Sequence, residues 1–276
     1  MAGKTRPRIL MCPSDFYGIE YEINPRMSRS RGAETARAHQ QWRTLYDTLQ
    51  RLGVQVELMT PVRGLPDLVF TANAGLMFKD RFISARFRHA VRAKESPQFD
   101  DWFREHGFVV EHLPDDMYHE GAGDALFCGP LLFGGYRIRS DALAHQEVAR
   151  MIGKGVLPLE LVNTRFYHLD TCFCPLAPGE ALYYPEAFDQ YGRKVLESQI
   201  PKLIAVNEAD AHRFGCNAVV VGKTVVTNSG CPTLADDLRE AGYEPVAVEL
   251  DEFLKAGGSA KCLTLRLDGE EAAVWD

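Results

Sequence analysis

Three short motifs set reactive side chains beside residues that allow close approach. In Gly257-Gly258-Ser259-Ala260-Lys261-Cys262, a glycine-rich loop delivers a thiol to the start of a β-type run. The thiolate is the nucleophilic form of cysteine, and positive charge from Lys261 or a nearby histidine would lower the pKa of Cys262. His168-Leu169-Asp170 follows Phe166-Tyr167 and precedes another β-type run. In an extended segment residues i and i+2 share a face. His168 and Asp170 are therefore expected to project together, with Leu169 on the other side. Glu120-Gly121-Ala122-Gly123-Asp124 places two acids around glycines that let backbone come close to a ligand. It is too short for a phosphate loop and no helix follows it. Each motif alone has a plainer reading: a core cysteine, a surface salt bridge, a turn with solvated acids. Together they offer a Cys–His pair and carboxylates matched to a planar cation such as guanidinium.

The elements that must position these motifs repeat along the chain. Residues 75–87 (GLMFKDRFISARF), 125–136 (ALFCGPLLFGGY), 172–184 (CFCPLAPGEALYY) and 217–227 (NAVVVGKTVVT) each read as a β-hairpin. Their turns fall at Lys79-Asp80, Gly129-Pro130, Ala177-Pro178-Gly179 and Gly222-Lys223. A helix pattern and one further strand follow each hairpin. The helices are expected over 96–106, 141–152, 186–199 and 233–241, and the strands over 108–112, 156–161, 202–205 and 245–250. The hairpins recur about every 45–50 residues, a period that marks repeat architecture. The two ends supply a fifth unit: 262–267 (CLTLRL) pairs with 8–12 (RILMC), then a helix over 34–52 and a strand over 54–59. In that helix Ala38, Trp42, Leu45, Tyr46, Leu49 and Leu52 lie at spacings of three and four and form one apolar face. The expectation is a single α/β domain, residues 1–276, with five hairpin-helix-strand units in a closed ring. The three motifs sit at the mouths of different units and face one central channel.

Composition narrows the function classes. The chain has 276 residues, 46% hydrophobic and 25% charged, with a net charge of −7. An acidic balance argues against nucleic acid, which needs a clustered basic surface. The densest basic stretch, Arg81, Arg86, Arg88, Arg92 and Lys94, is read as a helix start or an anion pocket. No apolar run reaches the ~20 residues that cross a bilayer, and no signal-peptide pattern opens the chain. The seven cysteines include no pair of C-x-x-C motifs, so neither a disulfide framework nor structural zinc is expected. Free thiols fit a reducing cytoplasm.

The motifs EGAGD, YHLDT and GGSAKCLTL resemble those of the guanidino-group-modifying enzymes, the pentein superfamily. Arginine deiminases, dimethylarginine dimethylaminohydrolases and glycine amidinotransferases belong to it. The resemblance runs in order through nearly the whole chain. It implies a five-fold pseudosymmetric α/β propeller, the pentein fold. It also implies Cys262 as nucleophile, His168 as acid/base, and Glu120 and Asp170 as holders of the guanidinium. Arg92 and Arg139 match arginines that grip a substrate α-carboxylate. Arg139 lies 19 residues after Glu120, and Arg92 lies 19 residues after Asn73, which places the two equivalently in two units. Arginine deiminases carry an acid where this chain has Asn73, in Val69-Phe70-Thr71-Ala72-Asn73-Ala74-Gly75. That stretch, with Tyr21-Glu22-Ile23-Asn24-Pro25, looks most like the arginine dihydrolases, in which the positions of Asn24 and Asn73 belong to the substrate site.

The expected function is hydrolysis of L-arginine to ornithine, carbon dioxide and two ammonia, with no cofactor and no metal. The alternatives are arginine deiminase, dimethylarginine dimethylaminohydrolase and a catalytically silent arginine sensor. Arginine is the expected partner, with no nucleic acid and no membrane. Assembly into a homo-oligomer is compatible with the sequence.

Overall fold

Residues 6–275 are described by a computed structural model. The first unit comprises β1 (Arg8–Met11), α1 (Thr35–Arg51) and β2 (Gln55–Leu58). The second comprises β3 (Gly75–Phe78), β4 (Arg81–Ser84), α2 (Ala90–Ala93), α3 (Ser96–Glu105) and β5 (Val109–Glu111). The third comprises β6 (Ala125–Cys128), β7 (Leu131–Tyr136), α4 (Ala142–Ile152) and β8 (Val156–Glu160). The fourth comprises β9 (Phe173–Ala177), β10 (Glu180–Tyr183), α5 (Gln190–Gln199) and β11 (Lys202–Ala205), followed by α6 (Glu208–His212). The fifth comprises β12 (Val219–Val221), β13 (Thr224–Asn228), α7 (Pro232–Glu240) and β14 (Glu244–Val248). After α8 (Asp251–Leu254) comes β15 (Leu265–Arg266), which returns to the first unit.

These strands form five three-stranded sheets of one design. In each, the central strand pairs antiparallel with one neighbour and parallel with the strand after the helix. The first sheet joins both ends of the chain, with Ile9 opposite Arg266 and also opposite Val56. Each helix turns its apolar face onto a sheet. In α1, Ala38, Trp42, Leu45 and Leu49 are buried, while Tyr46 and Leu52 are half-buried at the margin. In α3, Phe99 and Phe103 are buried, and Phe103 stacks on Phe82 of β4 with centroids 3.6 Å apart. Burying one such ring stabilises by about 1.5–3 kcal/mol.

One expectation is corrected. Cys262 does not begin a strand. Hydrogen bonds Leu263 N to Ser259 O and Thr264 N to Lys261 O hold the segment as a turn, so pairing is confined to Leu265–Arg266. The basic stretch is taken up by ion pairs, and Arg92 lies in the short helix α2. Arg81, Arg86, Arg88 and Arg92 pair with Glu111, Asp115, Asp141 and Glu95.

The loop leading into the first strand of each hairpin carries the residues of interest. Asn73 lies in the 3-10 turn Thr71–Ala74 before β3. Glu120 precedes the turn Gly121–Gly123 and β6, and His168 precedes the turn Leu169–Thr171 and β9. Asn217 lies just before β12, and Cys262 just before β15.

Candidate active site

His168 Nε2 lies 2.8 Å from Glu120 Oε2, and the same oxygen accepts from Arg139 Nη1 at 2.9 Å. Glu120 Oε1 accepts from Arg88 N at 3.1 Å. Burial alone would raise the Glu120 pKa. Arg139 and His168 outweigh it and hold the carboxyl well below the usual range. Burial pushes His168 down to about 4, against the pull of Glu120. At neutral pH the pair is therefore a carboxylate and a neutral imidazole. The ring proton sits on Nε2 and is donated to Glu120, which leaves Nδ1 as a free base. Asn73 Nδ2 stands 3.5 Å from that Nδ1. Asp124 supports the assembly from behind: it accepts from Ser140 Oγ at 2.6 Å and Leu169 N at 3.0 Å, and Ser140 Oγ in turn accepts from Glu120 N at 2.9 Å.

Cys262 Sγ lies 3.2 Å from Asp170 Oδ2. Burial, then the Asp170 charge, raise the thiol well above its ordinary pKa. The sequence pointed to a thiol lowered by Lys261. Instead Lys261 Nζ is paired with Glu270. Asp170 is itself pushed up to about 7 by burial. Its Oδ1 is buried and has no hydrogen-bond partner among the described residues. An unpaired buried acceptor costs free energy until a donor arrives.

His168 is extended, but the chain then turns, so the pair does not project as two residues of one strand would. His168 meets Glu120, Asp170 meets Cys262, and Leu169 enters the core.

Asn217 binds Cys262 at two points. Its Nδ2 donates to Sγ at 3.1 Å, and its Oδ1 accepts from Cys262 N at 3.1 Å. The same Nδ2 lies 3.0 Å from Asp170 O.

Arg92 closes on Glu95 through Nε and Nη2, at 2.9 and 2.7 Å, and donates Nη1 to Asn73 Oδ1 at 2.9 Å. Its Nη2 also reaches Asp67 O at 3.2 Å. Of its five donors, one on Nη1 is left over. Arg139 retains more: Nη1 serves Glu120 and Nη2 serves Ile23 O at 3.0 Å, while the guanidinium lies 4.7 Å over the Tyr167 ring. Asp67 is buried, raised by that burial, and its Oδ1 has no partner among the described residues. Asn24 braces two loops, accepting from Arg26 N at 2.9 Å and donating to Ala256 O at 3.0 Å.

Asn24, Asp67, Asn73, Arg92, Arg139, His168 and Cys262 line one narrow cavity. Its walls leave little spare room. A Cβ at Gly123 would stand 2.2 Å from Asn73 Nδ2. Gly257 has φ +86°, and a Cβ there would meet Tyr167 Oη at 2.4 Å. Among the described residues no group of three or more His, Cys, Asp and Glu side chains is placed to hold a metal ion. No helix there is long and apolar enough to cross a membrane.

All eight residues singled out in the sequence fall on this cavity or hydrogen-bond to its lining. Two were missed. Asn217 opens a hairpin at the position that Asn73, Glu120 and His168 hold in their units, so the repeat itself was the signal. Asp67 gave none: an aspartate after proline reads as an ordinary turn.

The chain matches the family described as N,N dimethylarginine dimethylhydrolase, eukaryotic, over residues 20–268. It is 48% identical over 265 residues to the bifunctional arginine dihydrolase/ornithine cyclodeaminase ArgZ of Synechocystis. That alignment takes in 94% of this chain and 37% of ArgZ, so the chain spans little more than a third of that protein. It is 41% identical over 263 residues to the N(G),N(G)-dimethylarginine dimethylaminohydrolase of Mycobacterium tuberculosis, covering 94% of this chain and 85% of that one. The solved N-terminal domain of ArgZ bound to substrate superposes with a TM-score of 0.93 at 46% identity, over 96% of this chain and 99% of that one. By this match and these identities, the chain belongs to the dimethylarginine dimethylaminohydrolase family of the pentein superfamily.

Proposed function

We propose that the chain hydrolyses the guanidinium group of L-arginine twice, giving ornithine, carbon dioxide and two ammonia. The observation that carries this reading is the juxtaposition of the Cys262 thiol with Asp170, beside His168 on Glu120, with an amide rather than an acid at Asn73. The likeness to ArgZ supports it. The five like sheets, the first closed by both chain ends, support a five-fold α/β propeller in one domain, with the site on its axis. Buried free thiols support a cytoplasmic setting.

The geometry suits the chemistry as follows. A guanidinium placed against the unpaired Oδ1 of Asp170 neutralises the anion that holds the thiol proton. Cys262 then loses that proton to His168 Nδ1, and sulfur bonds to the guanidinium carbon. The tetrahedral adduct expels ammonia, protonated from His168, and leaves an amidino-thioether. Water, deprotonated by His168, adds to that carbon; the C–S bond breaks and citrulline forms. In the second round sulfur attacks the ureido carbon and a second ammonia leaves. Water cleaves the resulting thiocarbamate to a carbamate, which loses carbon dioxide to give ornithine. Glu120 keeps the His168 proton on Nε2, and Asn217 donates to sulfur. Arg139 and the last donor of Arg92 face the α-carboxylate, and Asp67 Oδ1 faces the α-ammonium.

The family match favours one second reading, a dimethylarginine dimethylaminohydrolase that releases dimethylamine. One experiment separates the two. Arginine, citrulline and methylated arginines are supplied separately, and ornithine, citrulline, ammonia and dimethylamine are quantified. Ornithine with two ammonia per arginine supports the dihydrolase. Dimethylamine from dimethylarginine with inert arginine selects the second reading.

A further inference from the structure

A second cavity, of ≈ 420 Å³, is walled by Arg26, Arg31, Arg165, Arg213, Lys255 and His212. Arg26 and Arg31 come from one short basic run, and Arg165, His212-Arg213 and Lys255 join them from distant segments. Among the described residues the only acid on this wall, Asp251, is taken by Arg37 at 2.8 Å, and Lys255 is neutralised by Glu252 at 2.7 Å. The four arginines form no salt bridge among the described residues. The Arg26 guanidinium lies 3.9 Å over the Phe214 ring and donates Nη2 to His212 O at 2.9 Å, while its buried Nε has no partner there. Arg213 is fixed by Ser229 O at 3.1 Å. Burial, opposed by Tyr167, and repulsion from Arg165, Arg213 and Arg31 lower Arg26 to about 10.

Such a concentration of like charge in a chain of net charge −7 is self-repelling and calls for an anion. Arginine, a net cation, would be repelled by it, so the cluster does not serve to gather that substrate. Planar guanidinium forks match phosphate oxygens two at a time. Four of them around one cavity exceed what a single carboxylate can satisfy.

The wall also borders the active-site cavity. Arg26 N bonds to the side chain of Asn24, Arg165 lies just ahead of Tyr167 and His168, and Lys255 adjoins Ala256 and Gly257. We propose that this second cavity binds a small molecule carrying two or three linked phosphates, and that its occupation changes turnover through the segments shared with the active site. The binding half stands alone; the turnover half rests on the arginine-hydrolase reading.

Calorimetric titration with inorganic phosphate, pyrophosphate, tripolyphosphate and a nucleoside triphosphate tests the binding half. The expected result is one site per chain, with the linked phosphates binding more tightly than phosphate itself. Arg165→Glu should weaken them by roughly tenfold or more, and Arg213→Gln should do so to a smaller extent. Pyrophosphate should change kcat or KM for arginine in the original protein and not in Arg165→Glu. If arginine is not turned over, the alkylation rate of Cys262 with and without pyrophosphate replaces that readout. No binding at millimolar concentration, equal affinity in Arg165→Glu, or binding of oligonucleotides alone would overturn the assignment. A bound phosphate that leaves both turnover and Cys262 alkylation unchanged would overturn the coupling.

Discussion

Asn217 holds Cys262 by its backbone and its sulfur at once, each at 3.1 Å. The backbone contact sets where the thiol points, and the N–H···S contact favours the thiolate. A hydrogen bond to a charged group is worth about 1.5–3 kcal/mol. Asn217→Ala should therefore slow both Cys262 alkylation and arginine turnover by roughly ten- to hundredfold. An alkylation pH profile measured beside the original protein checks this. Unchanged profiles would leave Asn217 with a scaffold role alone.

Asp170 should act in opposite directions on the free protein and on turnover. Its charge and its contact with sulfur keep the thiol protonated. Asp170→Asn removes that anion, so the thiol pKa falls and the thiolate fraction rises. Alkylation at neutral pH should speed up while arginine hydrolysis collapses, because the guanidinium has lost its counterion. Parallel loss of both would show that Asp170 does not hold Cys262 in its protonated form.

Asn73 is fixed by Arg92, which takes its Oδ1 and directs Nδ2 toward His168 and the Glu120 carbonyl. In the proposed second round the amide would offer that Nδ2 donor to the ureido oxygen of citrulline without rotating. In Asn73→Asp an oxygen would stand there and repel it. The variant should shift product from ornithine toward citrulline, by roughly tenfold or more in ratio. Ornithine, citrulline and ammonia over one time course decide it. Ornithine as the main product of the variant would clear Asn73 of this role.

His145 gives a stability prediction outside the site. It is fully buried on Gly135 O, and burial lowers its pKa from 6.5 to about 4. A depressed folded pKa means that the unfolded chain binds the proton first. The stabilisation is complete above pH 6.5 and is lost as pH falls toward 4, on the order of 3 kcal/mol in all. His168 acts in the same direction, while Asp170 and Glu95, raised to about 7, act in the opposite one. The difference between the original and His145→Gln isolates the one ring. Denaturant midpoints at several pH values should converge as pH falls from 6.5 to 4; a constant gap would refute the assignment.

The long helices and most strands were legible because each has a clear period, while the short helices α2, α6 and α8 carry too few residues to show a period and were not expected. The limits of the five expected helices fell within one or two residues except at α5. There the stretch expected from residue 186 is a 3-10 turn, Pro185–Ala187, and Asp189 caps the helix by accepting from Gly192 N. The motif glycines and acids marked three of the five loops. The sign of the Cys262 shift was not legible, because Lys261 immediately precedes Cys262 in the chain yet faces Glu270, while Asp170 is distant in the chain and touches the sulfur. Sequence proximity predicts neither burial nor side-chain direction. The equal offset of Arg92 and Arg139 did translate into space: each donates Nη1 at 2.9 Å to the residue 19 positions before it.

The pairing of β15 with β1 has a kinetic consequence. Ile9 waits for Arg266, so the first sheet is completed only when the last strand has been synthesised. Contacts of such sequence separation form late and slowly. Cys262 sits immediately ahead of that strand, and its anchors Asn217 and Asp170 belong to units that precede it. A nascent chain thus carries the imidazole and carboxylates before it has a thiol to pair with them. Recovery of Cys262 alkylation during refolding therefore reports docking of the final strand, which far-ultraviolet circular dichroism, dominated by the earlier helices, would miss.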